Sequence, residues 1–524
     1  MKNWFTALSI AASLTLAGVG PALAAPGLPS TNVAWLAAAA DADIERAFAT
    51  ARSEKKPVLL YWGATWCPPC NQLKATLFNR QDFAELSRHF VAVHVDGDRP
   101  GAQKLGSRFK VSGYPTVVLF GADGQEITRL PGEADAPQVM AVLQAGLAAG
   151  RPVKALLSDA LNGRPLGAND WRSLAFYSWE TDEQQIVSRS DLPGTLARLA
   201  AASPASDTAT TDRLWLKALA ASDDGQGVKP DAALRERVLR LLADPARART
   251  LMDVISNGAD DIVRVLDAEG TPGRTQTLAA FATALRRFEA DNSLSRNDRL
   301  GALYARVLLA RLDEPKEAVQ VKLPEPLLLE VRDHVARADR EITDGYERQA
   351  VITFAGALLG RAGLWADSET LLKGNLAKSH SPYYLMSQLG SNARKLGRKD
   401  EALRWYAQSF DKSEGPATRL QWGSGYLTAL VELAPQDAAR IEKTAAQLFK
   451  EAAADAGAFE GRSVRSLQRV GKQLMAWNGD KNQHAAALRR LQAQLDGVCA
   501  KLDAGDGQRA ACESLLKPGA KKST

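Results

Sequence analysis

Pro57-Val58-Leu59-Leu60-Tyr61-Trp62, continued by Gly63-Ala64-Thr65-Trp66-Cys67-Pro68-Pro69-Cys70, is the stretch that decides how this chain folds. The first six residues are continuously apolar, which predicts a strand buried on both faces. A helix is expected to start at Cys67. A cysteine at a helix N-terminus meets unpaired backbone N–H groups and the positive end of the helix dipole, and both favour its thiolate. Pro68 is tolerated because the first helical turn has no N–H partner to lose. The step of three residues puts Cys70 on the same turn as Cys67. Cys67 would attack a disulfide, and Cys70 would resolve the mixed disulfide that results. A zinc half-site and a permanent disulfide are the structural alternatives. Zinc needs two further ligands, and His89, His94, His334, His380 and His484 do not pair at ligand spacing, so no metal is expected. The permanent disulfide stays open.

Reading outward, residues 41–149 alternate helix and strand signals. Asp41 to Lys55 is an amphipathic helix with Ile44, Phe48 and Ala51 on one stripe. Phe90 to Val95 and Thr116 to Phe120 are strands, with a short helix from Ala102 to Phe109 between them. Asp123-Gly124 is a hairpin turn leading into a strand from Glu126 to Leu130. A helix from Asp135 to Ala149 closes the unit, and Gly150-Arg151-Pro152 breaks it.

With these elements in place, the region resembles the thioredoxin superfamily. The resemblance rests on Trp66-Cys67-Pro68-Pro69-Cys70, Val95-Asp96-Gly97-Asp98-Arg99-Pro100, Gly113-Tyr114-Pro115-Thr116 and the Asp123-Gly124 turn. It implies an α/β thioredoxin-like fold with Cys67 and Cys70 as catalytic residues and no cofactor. It also implies a cis Pro115 against the sulfurs, a substrate groove shaped by Tyr114 and Pro115, and Trp66 covering the disulfide. Two positions depart from the family. Leu60 stands where thioredoxins bury an acid that helps deprotonate the second cysteine, and Ala75 stands where many have a helix-kinking proline. Lys56-Pro57 looks more like exported members. The absence of the histidine that strongly oxidising members carry between the cysteines leans toward reduction or isomerisation.

Beyond residue 150 the strand signal disappears, and Leu, Ala and Arg recur at helical spacing. Breaks are expected at 192–194, 223–227, 269–273 and 315–326. Aligning 351–384 with 385–418 pairs Gly356 with Gly390, Gly363 with Gly397, Lys378 with Lys412 and Pro382 with Pro416, all 34 residues apart. These units resemble tetratricopeptide repeats, and the expected architecture is an all-α helical-hairpin solenoid. The expected division is a leader at 1–24, a thioredoxin-like domain at 32–150, a helical domain at 151–325 and a tetratricopeptide-like domain at 326–517. Cys499 and Cys512 flank a Gly-containing turn and read as a structural disulfide on the last hairpin, worth roughly 3 kcal/mol on the chain-entropy model. Trp171, Tyr177, Trp179, Tyr383, Tyr384, Trp405, Trp422 and Tyr426 read mainly as packing residues, with some available to line a concave binding face.

The chain has 524 residues, 45% hydrophobic and 24% charged, an ordinary globular balance that excludes a disordered tail protein and a polytopic membrane protein. A net charge of +6, with no basic block interleaved with aromatics, argues against a nucleic-acid partner and allows at most peripheral membrane contact. Lys2, the apolar run from Trp4 and Ala22-Leu23-Ala24 read as a secretory signal peptide. Two local cysteine pairs suit an oxidising compartment. The expectation is therefore a periplasmic thiol–disulfide oxidoreductase acting on protein disulfides. Its helical half would recruit a client or an upstream thiol–disulfide electron donor. The alternative is a periplasmic scaffold or chaperone-like binding module.

Overall fold

The computed structural model describes residues 33–517, apart from 131, 133, 223–226, 316 and 506. The expected leader at 1–24 lies outside the described residues. The N-terminal module runs β1 (Leu36–Ala38), α1 (Asp41–Glu54), β2 (Val58–Gly63), α2 (Pro68–Leu73), a π-helical turn (Lys74–Phe78) and α3 (Gln81–Leu86). It continues with β3 (Val91–Asp96), α4 (Ala102–Arg108), β4 (Thr116–Phe120), β5 (Glu126–Leu130) and α5 (Ala136–Ala149). The sheet order is β1-β3-β2-β4-β5. β3 pairs parallel with β1 and β2, while β4 pairs antiparallel with β2 and β5.

The apolar run is a central strand because both faces of β2 are covered. Leu59 and Tyr61 join Leu77, Phe78 and Leu143 on one side. Val58, Leu60 and Trp62 join Ile44, Phe48 and Leu105 on the other. The alternation follows from successive side chains pointing to opposite faces. Burial on both sides explains why no polar position interrupts the run. β1 lacks a sequence signal of its own: three residues are too few for a pattern, and its pairing with β3 supplies the order.

The rest of the chain is helical: α6 (Val153–Leu161), α7 (Ala168–Phe176), α8 (Leu192–Ala202), α9 (Thr208–Ala220), α10 (Ala232–Ala243), α11 (Pro245–Thr250), α12 (Met252–Leu266), α13 (Pro272–Ala290) and α14 (Arg296–Ala310). It continues with α15 (Glu325–Glu341), α16 (Gly345–Arg361), α17 (Trp365–Asn375), α18 (Pro382–Lys395), α19 (Lys399–Lys412) and α20 (Pro416–Leu433). The last four are α21 (Ala438–Ala452), α22 (Gly461–Asn478), α23 (Ala485–Cys499) and α24 (Gln508–Ser514). Asp231, Thr271, Ser295 and Asp344 cap helix starts with their side-chain oxygens. Pro193, Pro272 and Pro416 sit in first turns, where a missing N–H costs nothing.

The 34-residue spacing has a packing meaning. A Cβ at Gly356 would lie 2.7 Å from Leu372, and one at Gly390 would lie 3.1 Å from Tyr406. In both hairpins the glycine lets the second helix close onto the first. Gly363 and Gly397 then turn the chain with φ of +77° and +74°, where a side chain would be strained.

At the far end Cys499 and Cys512 are bonded, with Cα atoms 5.6 Å apart, inside a core that includes Leu474, Leu495 and Leu515. Replacing both with Ser is expected to lower stability by about 3 kcal/mol, read as a shifted urea midpoint of the helical signal. An unchanged midpoint would show that the bond is no staple.

Candidate functional site

The sheet gathers its functional loops at one edge. Parallel β2 and β3 both end there, with Gly63 opposite Asp96, and antiparallel β4 begins there, with Thr116 opposite Trp62. β5 also ends there, since Leu130 pairs with Val117. The motif loop, the Asp96–Pro100 loop, the Tyr114–Pro115 turn and the loop after Leu130 are therefore neighbours.

Cys67 is the N-cap of α2, and the Cys70 backbone N–H donates to its Sγ at 3.2 Å. The two sulfurs are bonded, with Cα atoms 5.2 Å apart. Asn71 Nδ2 donates to the carbonyls of Thr65 and Cys67, each at 2.8 Å, fixing the loop before the helix. The Tyr114–Pro115 peptide is cis. At Ala75 the family's proline is missing, and the π-helical turn Lys74–Phe78 interrupts the α-helix at the same place.

The helical region lies over this edge. Cys67 is 2% exposed and Cys70 is fully buried. Trp66 is held on every side: its indole N–H donates to Asp98 Oδ2 at 2.9 Å, and its carbonyl accepts from Gln349 Nε2 of α16 at 3.0 Å. Its ring stacks on Tyr384 of α18 at 5.7 Å and meets Trp422 of α20 edge-on at 6.1 Å. The Arg462 guanidinium of α22 sits 4.5 Å from the Trp66 ring and 5.2 Å from the Tyr114 ring. Asp98 also accepts the Thr418 N–H at 2.8 Å and its hydroxyl. Ser107 and Gln103 of α4 accept the N–H groups of Gly461 and Arg462 at 2.9 and 2.8 Å.

Beneath the motif lies a buried group of titratable side chains. Lys74 follows Cys70 by four residues, and its N–H bonds the Cys70 carbonyl, so the two share a helix face. Burial pushes the Lys74 amine down to about 8, against the pull of Asp96. Burial pushes the Asp96 carboxyl up to about 6. His94, stacked on Tyr61 at 5.0 Å, is pushed down to about 3 by burial and then by Lys74 and Arg99.

Sequence reading placed Trp66, Cys67, Cys70, Tyr114 and Pro115, and the structure brings them together at one edge. It places Cys499 and Cys512 in the separate C-terminal core. The roles of Asp98, Lys74, Gln349, Thr418 and Arg462 were missed. Lys74 had a signal, a cation four residues from Cys70 among apolar neighbours. Gln349, Thr418 and Arg462 had none, being hundreds of residues away in sequence. Among the described residues, no group of three or more His, Cys, Asp or Glu is placed to hold a metal ion, and no helix is long and apolar enough to cross a membrane.

Residues 44–147 match the family model of the thioredoxin-like domain. A thioredoxin-like protein of Synechocystis is 34% identical over 89 residues, covering 17% of this chain and 80% of that protein. The chain belongs to the thioredoxin-like family. This thioredoxin-like chain is also 30% identical over 120 residues to the thiol:disulfide interchange protein DsbD 2 of Pseudomonas aeruginosa, covering 22% of this chain and 20% of that one. It is 24% identical over 94 residues to the disulfide bond reductase DsbH of Chlamydia pneumoniae, covering 15% and 54%. The thioredoxin-like chain thus spans about a fifth of the length of the DsbD relative.

The buried histidine makes a pH prediction. His94 stays neutral in the folded chain down to about pH 3, whereas unfolded histidine gains a proton near 6.5. Its contribution is therefore present above 6.5 and lost as pH falls toward 3. Asp96, raised to about 6, works the other way: its burial cost is relieved as pH falls through 6. The two offset each other between about 4 and 6, so the readout is a difference. The stability of wild type minus that of His94→Phe is expected to fall by on the order of 1 kcal/mol per pH unit below 6.5. A difference independent of pH would contradict a neutral buried His94.

Proposed function

We propose that the chain is an exported thiol–disulfide oxidoreductase of the periplasm, working as a reductase or isomerase on protein disulfides through Cys67 and Cys70. The observation that carries this reading is the bonded pair at the N-terminus of α2, with Cys70 N–H on Cys67 Sγ and Tyr114–Pro115 beside it. In the reduced enzyme the Cys67 thiolate attacks a substrate disulfide. One substrate sulfur leaves as a thiolate and the other stays bonded to Cys67. Cys70 then attacks Cys67 Sγ, releasing the second substrate thiolate and restoring the Cys67–Cys70 bond. Two electrons pass to the substrate, and an upstream dithiol resupplies them. The helix terminus supplies N–H groups to the Cys67 thiolate. Leu60 lies on the face of β2 away from α2, with Ile44 and Phe48, so the ionisable group serving Cys70 is Lys74 and not a residue at position 60. The Lys74 ammonium, on the same face one turn away and still largely protonated below about pH 8, stabilises the Cys70 thiolate as the Cys70 proton passes to solvent.

The division at 32–150, 151–325 and 326–517 assigns the chemistry to the first segment and partner selection to the other two. The Cys499–Cys512 bond acts as a structural staple. The paired hairpins from α16 to α19 are read as tetratricopeptide-like, on the strength of their equivalent glycine contacts. One observation favours the second reading, a scaffold or chaperone-like binder: the pair is buried beneath the helices, and a disulfide that never cycles would have no need of access.

Trapping separates the two. Cys70→Ser should accumulate a mixed disulfide at Cys67 with a cysteine-containing substrate, seen by mass, and Cys67→Ser should not. No adduct with either variant would leave the scaffold reading standing. Lys74→Met should slow release of the adduct in an otherwise wild-type chain by about tenfold at neutral pH, with a smaller effect above pH 8. An unchanged pH profile would remove Lys74 from the mechanism.

A further inference from the structure

The helices close only one half of the redox face. The Trp66 and Tyr114 side lies under α16, α18, α20 and α22, as described above. On the other side Pro69, between the two cysteines, opens onto a cleft of about 380 Å³ between the thioredoxin-like module and α12 and α14. Gln72 and Gly132 line its inner wall, while Ser256, Ser295 and Gly301 line its outer wall. The inner wall passes over the cis-proline: a Cβ on Gly132 would lie 3.8 Å from Pro115 Cγ. The two walls are tied where Gln72 Nε2 donates to Ser295 Oγ at 2.7 Å.

We infer that this cleft is the substrate site, and that it takes a thiol or disulfide carried on a slender, flexible chain. The inference rests on the oxidoreductase reading. Small-molecule sites span about 300–1,000 Å³, so this volume admits a low-molecular-weight thiol or a few extended residues. A folded domain cannot follow, because the face it would dock on is covered by Tyr383, Tyr384, Trp422 and Arg462. The cleft's charged side chains are already engaged. Arg80 pairs with Asp82, Asp135 with Arg249, and Asp298 accepts from Ser295. It therefore offers neutral hydrogen-bonding walls and selects by girth. The exchange at Cys67, two residues from the cleft-lining Pro69, balances. A first thiolate attacks Cys67 Sγ, forming a mixed disulfide and releasing the Cys70 thiolate. A second attacks the sulfur held on Cys67, leaving the dithiol and a disulfide of the donor; two electrons enter the pair, and the reverse steps pass them to a substrate disulfide.

Gly301 offers a direct test. It lies inside α14 and a Cβ there meets nothing within 4 Å, so a bulky side chain has room to enter the cleft. Reduction of the Cys67–Cys70 bond in the full chain is timed by thiol trapping with three probes: glutathione, an unstructured peptide with two cysteines, and a folded dithiol protein. The folded dithiol is expected to be at least about tenfold slower than glutathione, and Gly301→Trp to slow glutathione by at least about tenfold, since exchange rates follow access. Gly301→Ala should match wild type. Asn297→Trp, one turn earlier on the same wall, is the second plug should Gly301→Trp alter the fold by circular dichroism. Peptide as fast as glutathione would identify extended protein segments as substrates, and peptide as slow as the folded dithiol would identify small thiols. An equally fast folded dithiol, or plugs without effect together with acceleration by Arg462→Ala, would overturn the inference and point to opening of the helical cover. A bond that resists all three probes, yet yields to dithiothreitol in urea, would sink the oxidoreductase reading itself.

Discussion

Asp98 is the contact on which the arrangement depends. One carboxylate accepts the indole N–H of Trp66, the residue before Cys67, and also the backbone N–H and hydroxyl of Thr418, some 320 residues later. Hydrogen bonds to a charged group contribute about 1.5–3 kcal/mol each when well formed, so this side chain couples the conformation of Trp66 to the seating of α20. Nearby Gly415 has a φ of +83°, and a Cβ on it would lie 2.5 Å from Asp98 Cβ. The chain comes too close there for any side chain.

The helices around Asp98 are the first members of successive hairpins. Gln349 of α16 and Tyr383 of α18 are 34 residues apart, as are Tyr384 of α18 and Thr418 of α20. The 34-residue spacing thus brings helices α16, α18 and α20 one after another to the sheet edge that carries the Cys67–Cys70 pair. There they already hold the chain's own redox module. Recruitment of a separate protein by the helical half, the expectation from sequence, has to use other surfaces or compete with this contact.

Much of the redox module was legible in the chain. Leu59, Tyr61 and Trp62 announced a strand buried on both faces because no polar residue interrupts them. Cys67 followed by Pro68 announced a helix start, because proline is tolerated only there. The glycines of the second half marked real close approaches. What remained hidden was of two kinds. β1 and the π-helical turn at Lys74 are set by their neighbours, not by local pattern. The roof over Trp66 is set by residues whose spacing from the motif carries no information. Arg462 looks in sequence like any cation on an amphipathic helix; only the fold places it between the Trp66 and Tyr114 rings. Asp96 and Lys74 stand between these cases. Each was visible, but burial, which shifts their protonation, was not.

The most direct test of the central claim is the equilibrium reduction potential of the Cys67–Cys70 pair in the full chain, poised in dithiothreitol or glutathione buffers and read by thiol trapping. A reversible two-electron transition near the thioredoxin value of about −270 mV is expected for a reductase supplied with electrons from upstream. A value toward about −120 mV would make the pair a disulfide donor, and a pair that never titrates in the folded chain would contradict a redox role altogether.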